Sequence, residues 1–312
     1  MTTKTITLAH YYTEPEVQAM ADYVGDSLDL SLAARSTNAD RIVFAGVRFM
    51  AETAKLLNPG AQVILPDAEA TCSLVTQTDM GELNRWRKQY ADHVHVAYIN
   101  SSIEHKALAD WIVTSRNVAD VVQHLYDQGE KVIFSPDYNM GAWLNAEFGF
   151  DMPLWSAVCE VHDKFTAEQV DAVLSQEDSG IKKYLLAHPE SPLPVLQRAD
   201  MVGSTSQMLD WVRLFPQEDA LVYVATESGL LYNMQQLRPE LEILQLPVYK
   251  GCQCNSCPYM KRNTVASVAA ARKGDGVEID YISKSMMQRA LIPVKRMMDF
   301  NQSVKKRVLV AG

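Results

Sequence analysis

The chain has 312 residues, enough for two or three domains of ordinary size. Apolar residues make up 47% and charged residues 21%, and the net charge is −9. That balance excludes nucleic acid as the expected partner, because phosphate backbones call for a basic face. A small anionic substrate stays open, provided its pocket supplies positive potential locally. No apolar run reaches the roughly 18 residues of a membrane span. The opening "MTTKTITLAHYY" lacks the basic start and apolar stretch of a secretory signal. The expected location is therefore cytoplasmic, where thiols stay reduced.

Strand and helix patterns alternate along the chain. "ITLAHYY" reads as a strand ending in polar residues. "RIVFAG" (41–46) is a second β-rich run. "MAETAKLLNPG" follows it, with Met50, Ala54 and Leu57 at helical spacing and a Pro-Gly stop. "QVILPD" is the next strand. The pattern then returns: "HVAYINSS", "DWIVTS" (110–115), the helical "NVADVVQHLYDQG" and "KVIFSPD" (131–137). It returns again as "YLLAHPE", "ADMVGS" (199–204), "SQMLDWVRLF" and "ALVYVATE" (220–227). Strand–helix–strand order implies parallel pairing. Gly46 to Asp67, Ser115 to Asp137, and Ser204 to Glu227 are spans of nearly equal length. Recurrence at a fixed period marks a repeat architecture.

Three of the five cysteines follow the same rhythm. Cys72, Cys159 and Cys257 each lie beyond one repeat, about one unit apart. The expected fold is α/β: three similar domains with small parallel sheets around a pseudo-threefold axis, with the active site at the shared centre. The units are 1–87, 88–172 and 173–260, and a segment 261–312 packs back on the first. Ligands bind beyond the carboxyl ends of parallel strands and at domain interfaces. Three converging thiolates fit zinc with a fourth ligand, or a [4Fe–4S] cluster with one iron left open. The open iron suits dehydration or condensation, where a metal polarises an oxygen leaving group. A rival reading is local: Cys252, Cys254 and Cys257 in "GCQCNSCPYM" form C-x-C-x2-C, a pattern for zinc or a redox pair.

In order, "LAHYYTEPEVQAMADYVGDSLDL", "YINSS", "VTSRNVADVV", "FSPDYNMGAWL", "AHPE", "MVGSTSQM" and "CPYMKRNT" resemble the quinolinate synthase family of NAD biosynthesis over nearly the whole chain. The resemblance implies three α/β domains and a [4Fe–4S] cluster on Cys72, Cys159 and Cys257. It implies condensation of iminoaspartate with dihydroxyacetone phosphate to quinolinate, with loss of phosphate and water. It also implies a supplying partner, an L-aspartate oxidase or aspartate dehydrogenase, with neither nucleic acid nor membrane involved. Carried across by motif, the catalytic candidates are Tyr12, Tyr98, His188 and Glu190. The substrate-binding candidates are His10, Ser27, Asn100, Ser115, Ser204 and Thr205. Glu190 is the candidate general base. Ser115, Ser204 and Thr205 lie in strand-to-helix loops, where N–H groups and hydroxyls suit carboxylate or phosphate and also cap helices. Trp155 and His162 flank the second cysteine as supporting groups. Asn139 and Gly141 are expected to shape a tight turn. Two departures from the family pattern stand out: Ala157 replaces a common glycine, and the third cysteine site reads C-x-C-x2-C. The alternative to an enzyme is an α/β binding protein with a structural zinc or redox-sensing knot.

Overall fold

The computed structural model describes residues 3–176, 180–217, 219–248 and 255–311. Cys252 and Cys254 lie outside the described residues.

The first sheet is built from β1 (Thr5–His10), β2 (Tyr23–Gly25), β3 (Arg41–Ala45) and β4 (Gln62–Leu65). The second holds β5 (Val94–Tyr98), β6 (Trp111–Val113) and β7 (Val132–Ser135). The third holds β8 (Lys182–Ala187), β9 (Met201–Val202), β10 (Ala220–Ala225) and β11 (Glu242–Gln245). A last short strand, β12 (Val277–Glu278), pairs antiparallel with β4, while the final helix, Lys284–Ala311, packs chiefly against β6 and the helix Ile103–Lys106 of the second repeat. Every other pairing is parallel. The strands are short apolar runs because helices cover both faces, as parallel sheets require. β10, for example, is buried along its whole length.

The strand orders reveal the repeat. They run β2-β1-β3-β4-β12, β6-β5-β7 and β9-β8-β10-β11. In each sheet the first strand in sequence sits between the second and third. The fourth place in the second sheet is taken by an extended segment rather than a full strand. Leu154 and Ala157 bridge in parallel to Phe134 and Asp137. Each of Cys72, Cys159 and Cys257 then follows the fourth place of its own sheet.

This topology corrects the register of the first repeat. The partner of "DWIVTS" and "ADMVGS" is not "RIVFAG" but the three-residue β2, followed by the helix Ser27–Ser36. Asp67 is thus not the counterpart of Asp137 and Glu227. Its near-equal spacing came from matching one strand too far along. The true counterparts at the ends of the second strands are Ser27, Ser115 and Ser204. "PDYNMG" also differs from expectation. Asp137 caps a helix, Tyr138–Phe148, by accepting a bond from Met140 N. Gly141 lies inside that helix. A Cβ there would stand 2.5 Å from Leu154 Cδ2, so glycine serves close packing, not a turn.

Candidate active site

The carboxyl ends of the three sheets face one cavity, at the domain interface where small-molecule sites are expected. Its wall includes His10, Tyr12, Ser27, Tyr98, Asn100, Ser115, His188, Glu190 and Thr205, and all three cysteines. Strand geometry explains the convergence. His10 ends β1, Tyr98 ends β5, and His188 directly follows β8, the equivalent central strand of each sheet. Ser204 is the exception among the expected residues. It is fully buried, does not line the cavity, and caps the helix Thr205–Leu214 in a reciprocal box with Gln207. Its neighbour Thr205 reaches the wall instead.

Glu190 is the hub. One oxygen, Oε1, accepts from the Tyr98 hydroxyl at 2.7 Å and from Asn100 Nδ2 at 3.3 Å. The other, Oε2, lies 2.9 Å from His162 Nδ1. Burial alone would raise the Glu190 carboxyl. The imidazoles of His162 and His188, with bonds from His162 and Tyr98, outweigh it and hold the group well below the usual range. Glu190 is therefore an ionised carboxylate fixed by donors from the first two-thirds of the chain. Asn139 Nδ2 donates to the Glu190 carbonyl at 3.1 Å and fixes its backbone as well.

His10 and His188 share one local device. The Tyr12 N–H donates to His10 Nδ1 at 3.1 Å, and the Glu190 N–H donates to His188 Nδ1 at 3.4 Å. An Nδ1 that accepts leaves the proton of a neutral ring on Nε2. Burial pushes both imidazoles down, to about 3, against the opposing pull of Glu190. Both rings are thus neutral Nε2–H donors near neutral pH. Burial likewise raises the Tyr12 and Tyr98 phenols well above their usual range, so both keep their protons.

Two residues play larger parts than the sequence disclosed. His162 contacts Cys159 Sγ at 3.2 Å through Nδ1 and Thr226 Oγ1 at 2.9 Å through Nε2. Thr226 in turn meets the Tyr12 hydroxyl at 2.8 Å. The Cys-x-x-His spacing of "CEVH" hinted at His162, because one helical turn brings such residues together. Nothing in the sequence pointed to Thr226. Glu227, beside it, accepts from Cys257 N at 3.1 Å and from Gly229 N at 2.6 Å and pairs with Lys261. It fastens the third cysteine loop, in keeping with a structural role.

Cys72, Cys159 and Cys257 are the free cysteines among the described residues, and all three face the cavity. Burial raises every thiol, Cys257 to about 12, and each feels other cysteines or carboxylates nearby. Protein alone thus does not stabilise three thiolates here; a bound metal centre would. The donor set fits three-point thiolate ligation. Cys159, His162 and Glu190 also place ligand atoms within 4.8 Å of one another. His162 and Glu190 already satisfy each other, which favours the cysteine trio as the holder. No lysine or arginine lines the cavity among the described residues. The local positive potential expected from sequence comes instead from ring N–H and hydroxyl donors.

The quinolinate synthetase A protein model matches residues 1–299. The chain belongs to this family. A quinolinate synthase of Prochlorococcus marinus is 40% identical over 297 residues, covering 95% of this chain and 87% of its own length. Those of Microcystis aeruginosa and a Nostoc species are each 40% identical over 296 residues, covering 95% of this chain. Membership in an enzyme family removes the alternative of a non-enzymatic binding module. The described residues hold no helix long and apolar enough to cross a membrane. Among solved structures, a UDP-GlcNAc 2-epimerase from Neisseria meningitidis aligns at 12% identity over 79% of this chain and 73% of that one. Its TM-score of 0.17 is too low to inform the fold.

Proposed function

We propose that the protein condenses iminoaspartate with dihydroxyacetone phosphate to form quinolinate, releasing phosphate and water, with a [4Fe–4S] cluster held by Cys72, Cys159 and Cys257. One observation carries the reading. Three thiols, one from each repeat, face the same cavity as a buried carboxylate held by donors from distant parts of the chain. When bound, the cluster supplies a Lewis-acidic iron without a thiolate.

The chain's own residues do the rest. His10 and His188 offer Nε2–H to the substrate carboxylates or phosphate. Ser27, Asn100, Ser115 and Thr205 add neutral donors to the same wall. Such an array binds anions through directed hydrogen bonds and needs no fixed cation. Glu190, ionised and pinned on both oxygens, takes the protons that ring closure and dehydration release. Tyr98 shares that carboxylate and can return a proton.

The Tyr12–Thr226–His162 contacts define a second path. His162 Nδ1 faces the Glu190 carboxylate and so carries a proton. Nε2 then accepts from the Thr226 hydroxyl, and Thr226 accepts from Tyr12. The Tyr12 phenol and Glu190 are thereby joined through a continuous relay with one polarity.

The test is metal content and product on protein purified without oxygen. About four irons and four sulfides per chain, with quinolinate formed from the two substrates, are expected. Zinc alone, with no iron taken up on anaerobic reconstitution and no quinolinate, would overturn the reading.

A further inference from the structure

The three loops that carry Ser27, Ser115 and Thr205 are tied together just behind the cavity wall. The ties use the adjacent residue in each case: Asp26, Arg116 and Ser206. Arg116 Nε and Nη2 donate to Asp26 Oδ2 at 3.0 and 2.7 Å. Its Nη1 and Nη2 donate to Asp29 Oδ1 and Oδ2 at 2.9 and 2.6 Å. Ser206 Oγ donates to Asp29 Oδ2 at 3.1 Å. One guanidinium from the second repeat thus joins two carboxylates of the first, and the third repeat binds the same carboxylate.

The charges of this arrangement bear directly on the cavity. Asp26 itself lines the cavity, and its side chain is only 6% exposed. It is there because its carboxylate caps the helix Ser27–Ser36, accepting from Leu28 N and Asp29 N. A bare carboxylate in that position opposes any anionic ligand. Glu160 and Glu190 also face the cavity, Glu227 is offset by Lys261 from outside the wall, and no described lysine or arginine lies in the wall itself. Arg116, which does not line the cavity, is the cation that cancels Asp26 from behind. A planar guanidinium can serve two carboxylates at once.

We propose that Arg116 is a positioning residue that sets the affinity of this site for anionic substrate groups, by neutralising Asp26 and Asp29 and holding the Ser27, Ser115 and Thr205 loops in register. The inference rests on the proposed reading that these three hydroxyls receive substrate carboxylate or phosphate. It concerns a residue outside the wall, acting through residues within it.

The test uses full-length, cluster-loaded protein handled without oxygen. Inorganic phosphate and succinate are titrated separately by calorimetry, and steady-state constants are measured for both substrates. Arg116→Gln is expected to weaken binding of at least one anion about tenfold, and to raise KM for the matching substrate similarly, with kcat within about threefold of wild type. The anion affected identifies whether phosphate or carboxylate lies against these loops. The loss should shrink at high salt, because unpaired charge is screened. Arg116→Lys, which keeps the charge but loses the fork that spans both carboxylates, should fall between wild type and Arg116→Gln, and Asp29→Asn combined with Arg116→Gln should recover at least half of the loss. Wild-type affinity in Arg116→Gln would overturn the inference. So would a loss as large in Arg116→Lys, a double variant no better than the single one, or a wild type that binds neither anion. If Arg116→Gln does not fold, the other two variants decide, and a loss beyond tenfold in both is fatal. Quinolinate formation with anion affinity indifferent to Arg116 would sink the inference and spare the proposed reaction. Arg116-dependent anion binding without quinolinate would do the reverse.

Discussion

The Tyr98 hydroxyl and the Glu190 carboxylate meet at 2.7 Å across 92 residues of sequence. Each sits at the end of a central strand of a different sheet, so the bond exists only when two repeats are docked. Glu190→Gln keeps the shape but removes the proton acceptor. Turnover should fall by about 10²–10⁴-fold, the usual worth of a positioned acid–base group, with iron content unchanged. Tyr98→Phe should fall less, because Asn100 and His162 still hold the carboxylate. Anaerobic kinetics with iron analysis separates chemistry from cofactor loss. Near-normal turnover in Glu190→Gln would remove it from the base role.

The three cysteines should behave as a set. Cys72→Ala, Cys159→Ala and Cys257→Ala are each expected to abolish cluster incorporation, while Cys252→Ala and Cys254→Ala leave it intact. Absorbance near the iron–sulfur charge-transfer bands and iron per chain are the readouts. A full cluster in Cys72→Ala would rule out three-point ligation.

Gly229 marks where the third repeat presses on the first. A Cβ there would stand 2.8 Å from the Tyr11 carbonyl and 3.0 Å from Tyr12 Cα. Both neighbours are backbone and cannot rotate away. Gly229→Ala should cost about 1–3 kcal/mol, as overpacking does, and lower activity by displacing Tyr12. Thermal melting and kcat together check this, and an unchanged melting temperature would show that the interface can yield.

A buried pair of histidines away from the cavity predicts an acid limit. His95 Nε2 and His105 Nε2 each lie 2.7 Å from the single Ser135 hydroxyl. One hydroxyl donates to one ring, which must be neutral at Nε2 to accept, and accepts Nε2–H from the other. Burial, then Arg87, pushes His95 down to about 4, with Asp110 opposing; burial also lowers His105. A depressed folded-state value means that stability is present above the unfolded value of 6.5 and is lost as pH falls through about 4. For His95 the loss amounts to roughly 3 kcal/mol at about 1.4 kcal/mol per pH unit. Denaturant melts from pH 7 to 4 should show the decline, and His95→Gln should flatten it. An equal slope in that variant would place the acid limit elsewhere.

Much of the site was legible because chemistry repeats where strands end. The apolar runs of β1, β5 and β8, each closing on polar residues, placed His10, Tyr98 and His188 at equivalent points. The spacing of Cys72, Cys159 and Cys257 points to one shared centre. The three-residue β2 carries no periodic signal, and its Tyr23 is 54% exposed. Without it the first repeat was matched one strand out of step.

What the chain's sequence determined by itself was the local grammar: which runs are strands, which hydroxyls and carboxylates follow them, and which cysteines recur. Tertiary structure alone decided that Glu190 is gripped by Tyr98, Asn100 and His162, that Thr226 joins Tyr12 to His162, and that Arg116 cancels Asp26. Those relationships are contacts between repeats. Propensity and periodicity act over a few neighbouring residues, whereas docking sheets brings together side chains whose separation along the chain leaves no local trace.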